Sequence, residues 1–399
     1  MKVNRVEQTI IRKSHPMWKT IDEMCYHSKN LYNYANYIIR KELDEYEYYV
    51  PYPLINKIIK GTWQYKNCMT QPANCVLRVL EKNWKSYFVA IEDWDKNKQK
   101  YLGMPKIPDY LKTNGRFLWM IPNNSCYFKE GELKFRLKIL QKYKWKTNAQ
   151  GRLIQVRFIP RGTCYVMEVV TEIEIYPEFK QPTHIASIDL GVNNFATISN
   201  NIGLRPIIIN GKGIKAVNQF YNKRRAEMRN KLVNQGWSKA LDVITMKRFN
   251  RIKNFMHHAS KYIINYCLQN NIDTIICGLD VGWKNKANMG KRNNQNMQSI
   301  PFNMFIKQLE YKCQERGINF ITTEEAYTSG TSFLDNEYPT KINYNKDRRV
   351  KRGLFKWSNG FINADVNGSL QIMKKVFPNA FADGIVGCLI PSRVNVVCC

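Results

Sequence analysis

The chain has 399 residues, with 62 Lys and Arg against 32 Asp and Glu, which gives a formal net charge of +30 at pH 7. A surplus this large repels itself unless a polyanion neutralises it, so the composition indicates a nucleic-acid partner. The sequence has no run of about 18 apolar residues and no signal peptide, which argues against a membrane or secreted protein. We therefore expect a soluble, intracellular protein with no membrane partner.

The cysteines and histidines limit the metal chemistry. Eleven Cys residues are scattered along the chain, none of them in a Cys-x-x-Cys pair, and there are only five His. Zinc ribbons and fingers need closely spaced pairs of these residues, so no zinc is expected. The scatter is typical of reduced thiols in a cytosolic protein.

The first 180 residues predict a small β-barrel with a helical insertion. Residues 1–13 read as a strand, and apolar residues at three- and four-residue steps then predict three helices, over about 16–48, 53–60 and 72–98. Short strands with turn signals between them follow, at 117–120, 133–137, 154–159 and 165–170. We expect residues 1–15 and 106–180 to form the barrel and residues 16–105 to form the insertion.

Residues 181–385 predict an α/β module, followed by a tail at 386–399. The module opens with an alternating strand, a tight Gly-Val-Asn-Asn turn and a second strand. Two long basic helices follow, and between Lys212 and Lys261 there are 13 Lys or Arg against two acids. This imbalance favours a surface that binds nucleic acid, and the candidate contacts are Lys223, Arg224, Arg225, Lys247, Arg248 and Arg251.

A second basic segment lies nearer the C-terminus. The loop from Lys341 to Lys356 has seven basic residues and one acid, Asp347. We expect residues 326–360 to form a basic nucleic-acid-binding insert, in which the loop from Lys341 to Lys356 is a flexible clamp with Arg348 and Arg349 among its contacts.

Isolated carboxylates indicate a site for hard divalent cations. Asp189 lies at the end of the first strand, directly before the turn, and Asp365 lies at the start of a late helix. Phosphodiester hydrolysis with two Mg²⁺ ions needs about three or four carboxylates from different elements, because the ions stabilise both the attacking and the leaving oxygen. The candidates for a third acid are Asp280, Glu324 and Glu325. The last two point to opposite faces of a strand, so at most one serves easily.

Four short motifs occur in order between residues 184 and 375: Ser-Ile-Asp-Leu-Gly-Val-Asn-Asn-Phe-Ala-Thr, then Gly-Trp-Lys with Gly-Lys-Arg-Asn-Asn-Gln, then Tyr-Thr-Ser, then Ile-Asn-Ala-Asp-Val-Asn-Gly. In combination they resemble the TnpB (OrfB) family of transposon-encoded RNA-guided nucleases and its descendants, the compact type V CRISPR effectors. The resemblance implies an α/β RNase H-like (RuvC) nuclease domain, preceded by a β-barrel wedge domain with a helical recognition insertion. It further implies two Mg²⁺ ions, a guide RNA, and double-stranded target DNA cut beside a short flanking motif, in the prokaryotic cytosol at the nucleoid.

The resemblance also assigns residues. Asp189 and Asp365 carry over as catalytic metal ligands, but the second acid, usually a Glu at a strand end, is replaced here by Gly278. Either Glu324 or Glu325 on the neighbouring strand supplies this acid, which we favour, or the nuclease is inactive. The zinc-binding cysteine pairs of many relatives are also missing, so the insert either folds without metal or orders on nucleic acid. Further nucleic-acid contacts are expected in the second motif, at Lys284, Lys291 and Arg292.

Three functions remain open at this stage. The first is an RNA-guided DNA endonuclease, in which base pairing with the guide reads the target sequence. The second is a nuclease-dead RNA-guided repressor, which would keep the basic surface and lose cleavage. The third is a protein-only RNase H-like nuclease or transposase, which would act with no bound RNA. The sequence leaves the oligomeric state open.

Overall fold

A computed structural model describes residues 1–233, 236–279, 290–382, 384 and 387–396. The chain divides into two compact units, Met1–Ile175 and Tyr176–Cys399. The division therefore falls shortly before residue 181, where the sequence predicts the start of the α/β module. None of the helices in the described ranges is both long and apolar enough to cross a bilayer.

The N-terminal unit contains two antiparallel sheets. The larger has the hydrogen-bonded order β1 (Lys2–Ile11), β7 (Cys164–Glu174), β6 (Arg152–Arg161) and β2 (Trp119–Pro122). The smaller consists of β3 (Cys126–Lys129), β4 (Glu132–Phe135) and β5 (Trp145–Lys146). The predicted barrel is not confirmed: within residues 1–175, all of them described, the strands form these two sheets and not one closed ring. The strands at 119–122 and 126–129 separate because a short helical turn, residues 123–125, lies between them.

Helices occupy most of the chain between β1 and β2. They are α1 (Trp18–Tyr46), α2 (Tyr52–Ile59), α3 (Trp63–Cys68) and α4 (Thr70–Lys96), while α5 (Lys138–Gln141) is a single turn after β4. Leu31 and Ile39 of α1 belong to the same buried cluster as Leu80 and Trp84 of α4. These residues recur at helical spacing, so one apolar face on each long helix is enough to hold the bundle together.

The C-terminal unit is built on a six-stranded mixed sheet. Its order is β12 (Asn319–Thr323), β11 (Thr274–Gly278), β8 (Ile185–Leu190), β9 (Asn194–Asn200), β10 (Ile207–Asn210) and β15 (Ser392–Val394). β9 is antiparallel to both β8 and β10, whereas β11 is parallel to β8 and β12 is parallel to β11. The predicted α/β class of this unit is therefore confirmed.

Helices pack on both faces of this sheet. One face meets α6 (Lys212–Asn230), α7 (Lys239–Gln269) and α9 (Phe302–Arg316), and the ring of Phe195 contacts those of Phe255 and Phe305. The other face meets α10 (Ala364–Val376), where Ile185 and Ile276 pack with Ile372. A short helix, α8 (Lys291–Gln298), precedes α9.

The basic insert has an apolar cluster of its own. It contains the hairpin β13 (Leu354–Trp357) and β14 (Gly360–Asn363). Phe333, Phe355 and Ile362 are buried against Val366 and Leu370 of α10. These apolar side chains hold the two ends of the insert on α10. The flexible clamp expected of the loop from Lys341 to Lys356 stays a prediction.

The segment after residue 386 is not a simple tail. Ser392–Val394 form β15, which adds a parallel strand to the edge of the sheet beside β10. Val394 and Val396 pack against the apolar core of the sheet, which explains why the segment is ordered there. The prediction that residues 386–399 form only a tail is wrong for this strand.

Candidate active site

Asp189 lies at the end of β8 on the face that packs against α10. Side chains alternate along a strand, so Asp189 shares this face with Ile185, which contacts the helix. Gly368 of α10 stands opposite: a Cβ atom at position 368 would lie 2.8 Å from Asp189 Oδ2. The absence of a side chain at Gly368 therefore lets the helix come this close to the carboxylate.

Of the two adjacent glutamates, the structure brings only Glu325 to Asp189. Glu325 lines the same cleft as Asp189 and is the first of the neighbouring charges that act on it. The side chain of Glu324 is exposed, and only its backbone oxygen has a described partner, accepting from Lys375 Nζ at 3.0 Å. The difference follows from the extended chain, in which neighbouring side chains point to opposite sides.

The side chain of Glu325 lies against Gly278, at the end of β11. Gly278 is the register partner of Thr323, the last residue of β12, two positions before Glu325. A Cβ atom at position 278 would be 2.7 Å from Glu325 Cγ and equally close to Ile372 Cδ1. The glycine thus leaves the space that the glutamate of the next strand occupies. Asp280, the other candidate for the third acid, lies outside the described residues.

Asp365 is held at the start of α10. The Asn363 side chain caps the helix and accepts from the backbone N–H groups of Asp365 and Val366 at 3.0 and 3.2 Å. The carboxylate itself has two partners: Asn194 Nδ2 donates to Oδ2 at 2.6 Å, and Arg349 Nη2 donates to Oδ1 at 3.2 Å. The hairpin turn and the basic insert therefore both bind this acid.

The three carboxylates repel one another. Burial raises the pKa of Asp189 well above its usual range, and the charges of Glu325 and Asp365 raise it further, while Arg349 lowers it. Burial and the charges of Glu325 and Asp189 likewise raise the pKa of the Cys277 thiol, on β11. A cluster of this kind is stabilised when a cation neutralises it, because the desolvated charges then have a partner.

These acids line one cleft of about 630 Å³. Five basic residues line it as well: Lys212, Lys215, Arg349, Arg352 and Arg393. Lys215 is oriented by Asn193 Oδ1, to which its Nζ donates at 3.0 Å. A cleft with a carboxylate floor and a basic rim suits a phosphodiester whose charge the rim attracts and whose cleavage the acids assist.

The side chains of the cleft offer oxygen donors to a metal ion. Within the described ranges, no group of three or more His, Cys, Asp or Glu side chains has the arrangement of a metal site, and Asp365 is bonded to Arg349 and Asn194. The donor chemistry nevertheless fits a hard divalent cation, since Mg²⁺ prefers carboxylate oxygens and the carboxylates of Asp189, Glu325 and Asp365 all line the cleft.

The residues predicted to contact nucleic acid fall into two groups. Lys223, Arg224, Lys247 and Arg251 are exposed, although Arg224 pairs with Glu227 at 2.9 Å. Arg225 and Arg248 are half-buried, and Arg248 donates to Asn218 Oδ1 at 2.6 Å and to the backbone oxygen of Ser299 at 2.7 Å. Arg248 therefore supports the packing of α6 and α7.

The two arginines of the insert also differ. Arg348 pairs with Glu337 at 2.8 Å and with Asp335 at 3.4 Å, so it holds the insert together, whereas Arg349 reaches Asp365 in the cleft. Lys284 lies outside the described residues, as do the side chains of Lys291 and Arg292.

Asn194, Lys215 and Arg393 are among the residues of the cleft that sequence reasoning missed. Asn194 is the last residue of the predicted turn and lies in the first of the four motifs, so its place in the hairpin of Asp189 was an available signal. Arg393 had no such signal, because a three-residue strand carries too little periodicity to be recognised.

The class of protein follows from fold and site: an α/β protein with an acidic cleft, a basic rim and a large positive charge. Residues 165–283 match the family model OrfB_IS605, described as a probable transposase. Residues 302–372 match the model of the Cas12f1-like TNB domain. The resemblance to the OrfB family and its type V relatives is therefore confirmed over these two segments. No curated protein matches the chain.

Several solved structures are similar at low identity. A Cas12f1–sgRNA–target DNA complex is 15% identical with a TM-score of 0.38, covering 93% of this chain and 98% of the other. The mini-RNA-guided endonuclease CRISPR-Cas phi3 is 12% identical with a TM-score of 0.48, covering 97% and 94%. CasPhi-2 (Cas12j) bound to crRNA is 9% identical with a TM-score of 0.38, covering 93% and 98%.

Proposed function

We propose that this protein is an RNA-guided DNA endonuclease with a RuvC-like, Mg²⁺-dependent site. The observation that carries the proposal is the meeting of Asp189, Glu325 and Asp365 in one cleft, from three elements far apart in sequence. Acids gathered from separate elements, at a cost in electrostatic repulsion, are typical of functional sites and not of structural ones.

In this proposal the three carboxylates hold the metal ions. Mg²⁺ would supply Lewis-acid stabilisation of the attacking and leaving oxygens of the phosphodiester. The protein's own residues do the rest: Asn194 orients Asp365, Gly368 admits Asp189 against α10, and Gly278 admits Glu325. Glu324 then serves no catalytic role, because its side chain is exposed away from the cleft.

The partners in this proposal are a guide RNA and double-stranded target DNA. The charge of +30 supports a polyanion larger than a short duplex, and the match to OrfB_IS605 supports the RNA-guided class. The exposed residues Lys223, Lys247 and Arg251 on α6 and α7 would contact the backbone of the guide–target heteroduplex, while base pairing reads the sequence. In the N-terminal unit, the two sheets would form the wedge and helices α1–α4 the recognition insertion.

The test begins with the RNA that accompanies the protein. The chain is expressed with its native genomic flanks, purified, and its RNA sequenced. We expect a discrete RNA with a constant scaffold and a separate guide, and the complex should cleave matching duplex DNA in Mg²⁺. Asp189→Asn and Asp365→Asn should each abolish cleavage and leave RNA and DNA binding intact. A heterogeneous mixture of cellular RNA, with cleavage that needs none of it, would favour a protein-only nuclease. A discrete guide with binding but no cleavage would favour a repressor.

A further inference from the structure

The C-terminal strand reaches the carboxylate cleft through one side chain. β15 pairs with β10, and Arg393 is the register partner of Ile208. Arg393 lines the cleft together with Asp189 and Asp365. Its Nη2 donates to Asn194 Oδ1 at 3.2 Å.

Asn194 connects this arginine to a carboxylate. Its Oδ1 accepts from Arg393, and its Nδ2 donates to Asp365 Oδ2 at 2.6 Å. An amide whose oxygen accepts from one group and whose nitrogen donates to another has one favourable orientation. A flip would turn the amide N–H groups toward the guanidinium and the amide oxygen toward the carboxylate. The positive guanidinium also polarises the amide and strengthens its bond to the carboxylate.

The strand that carries Arg393 is well anchored. Ser392 N donates to the backbone oxygen of Pro206 at 2.8 Å, and Arg205 Nε donates to that of Ile390 at 2.6 Å. Asn210 Nδ2 donates to Asn395 Oδ1 at 2.9 Å on the other side. A side chain on a paired strand is held more accurately than one on a free loop, which is what a supporting contact requires.

We propose that Arg393 is a positioning residue of the carboxylate site, which acts through Asn194 to fix the orientation of Asp365. The C-terminal strand is then a working part of the site and not an appendage of the fold. This proposal rests on the proposed nuclease function for its activity readout, but its cation-binding readout is independent of cleavage.

The first experiment compares Arg393→Gln and Arg393→Lys with Arg205→Gln in the full chain with its guide RNA. Arg205 binds the same segment but is not among the residues of the cleft, so it controls for loss of strand attachment. We expect Arg393→Gln to lower the cleavage rate about 10-fold and to raise the Mg²⁺ concentration for half-maximal cleavage, as outer contacts to metal ligands do. Arg393→Lys should recover part of the rate, and Arg205→Gln should cleave like the parent. Equal losses in Arg393→Gln and Arg205→Gln would overturn the proposal in favour of simple anchoring.

The second experiment asks whether Arg393 acts through Asn194. In an Asn194→Ala background, Arg393→Gln should cause no further loss, because the connection to Asp365 is already broken. A multiplicative loss in the double variant would overturn the proposal and indicate that Arg393 contacts the substrate directly.

The third readout is calorimetric titration of the chain with Mn²⁺ in the absence of nucleic acid. We expect Arg393→Gln to weaken binding about 10-fold relative to the parent and to Arg205→Gln. If the parent does not cleave DNA but this difference is present, the proposed nuclease function fails and the positioning role stands. If the parent cleaves and Arg393→Gln matches it in both readouts, the positioning role fails alone.

Discussion

Gly368 of α10 and Asp189 of β8 approach so closely that a Cβ atom on the glycine would lie 2.8 Å from Asp189 Oδ2. In Gly368→Ala, the added methyl group must therefore displace the carboxylate or the helix. Alanine favours a helix by about 1 kcal/mol, which offsets part of the strain, so the fold should persist. Displacement of a reacting group by about 1 Å can cost about 100-fold in rate, and we expect a cleavage loss of this order. Gly61→Ala, where the added methyl group meets open space, is the control. Cleavage kinetics with thermal unfolding measure both effects, and an unchanged rate would contradict the proposed role of Asp189.

The two glutamates after β12 should behave differently. Glu325→Gln removes a carboxylate from the cleft and should lower the cleavage rate at least about 100-fold, in line with the loss of one essential catalytic group. Glu324→Gln alters an exposed side chain and should leave the rate within about twofold. Both proteins should bind guide RNA and target DNA like the parent in filter-binding or mobility-shift assays. Loss of cleavage in Glu324→Gln alone would reverse the assignment.

The position of the third acid can be exchanged between strands. Glu325→Gly should be inactive, whereas the double variant Gly278→Glu with Glu325→Gly should regain part of the rate. The glycine at 278 has no positive φ, so its backbone accepts a glutamate. Removal of the Glu325 side chain opens one side of the space, and the terminal methyl of Ile372, 2.7 Å from the new Cβ, must shift on the other. Single-turnover cleavage by the two variants decides the matter. Equal inactivity of two folded proteins would mean that a carboxylate must come from β12 itself.

The raised pKa of Asp189 makes stability depend on pH. The folded chain holds this proton more tightly than the unfolded chain does, because burial and then Glu325 and Asp365 disfavour the carboxylate. The protonated Asp189 therefore contributes fully to the free energy of unfolding below the ordinary pKa of an aspartate. This contribution is lost as the pH rises from there through the raised pKa. Within that pH range, each unit of pH lowers the free energy of unfolding by up to about 1.4 kcal/mol. Asp189→Asn should remove this dependence, so it should unfold at a higher temperature than the parent at neutral pH without divalent cations. Parallel curves of unfolding temperature against pH for the two proteins would refute this.

We expect the basic residues of α7 to separate into a binding group and a structural group. Arg251→Gln changes an exposed side chain and should weaken binding to nucleic acids of any sequence. The slope of the logarithm of the binding constant against the logarithm of the salt concentration should become less steep by about one. Arg248→Gln removes the bonds to Asn218 and Ser299 and should lower the free energy of unfolding by about 1–3 kcal/mol. Binding titrations at several salt concentrations, with denaturant unfolding of each variant, test both statements. A stability loss in Arg251→Gln without weaker binding would contradict the division.

The parts of the fold that the sequence predicts are those with long, regular patterns. The hairpin around Asp189 alternates cleanly up to a glycine turn, and α7 carries a stripe of buried apolar residues from Ile252 to Cys267, which is about four turns. The pairing of strands into sheets is harder, since the helical turn that separates β2 from β3 has only three residues and carries no recognisable periodicity. The strand at Ser392–Val394 cannot be predicted from its own residues, because its extended conformation depends on pairing with β10.

The acids of the cleft show the same division. Asp189 and Asp365 can be predicted since each lies beside a recognisable turn or helix start. The choice between Glu324 and Glu325 cannot be made from the sequence, because it depends on the register at which β12 leaves the sheet, and a shift of one residue exchanges the two. The contact between Arg349 and Asp365 also depends on how the insert folds.

The packing of Glu325 against Gly278 affects how proteins with this fold are classified from aligned sequences. A comparison that proceeds column by column finds glycine at position 278 and scores the acid as lost. An inspection of the space around position 278 finds the side chain of Glu325, from the chain after the adjacent strand, packed against the glycine. Genome surveys that discard chains for a missing residue at one strand end would thus remove this protein without considering Glu325, and a filter on the pair of positions would retain it.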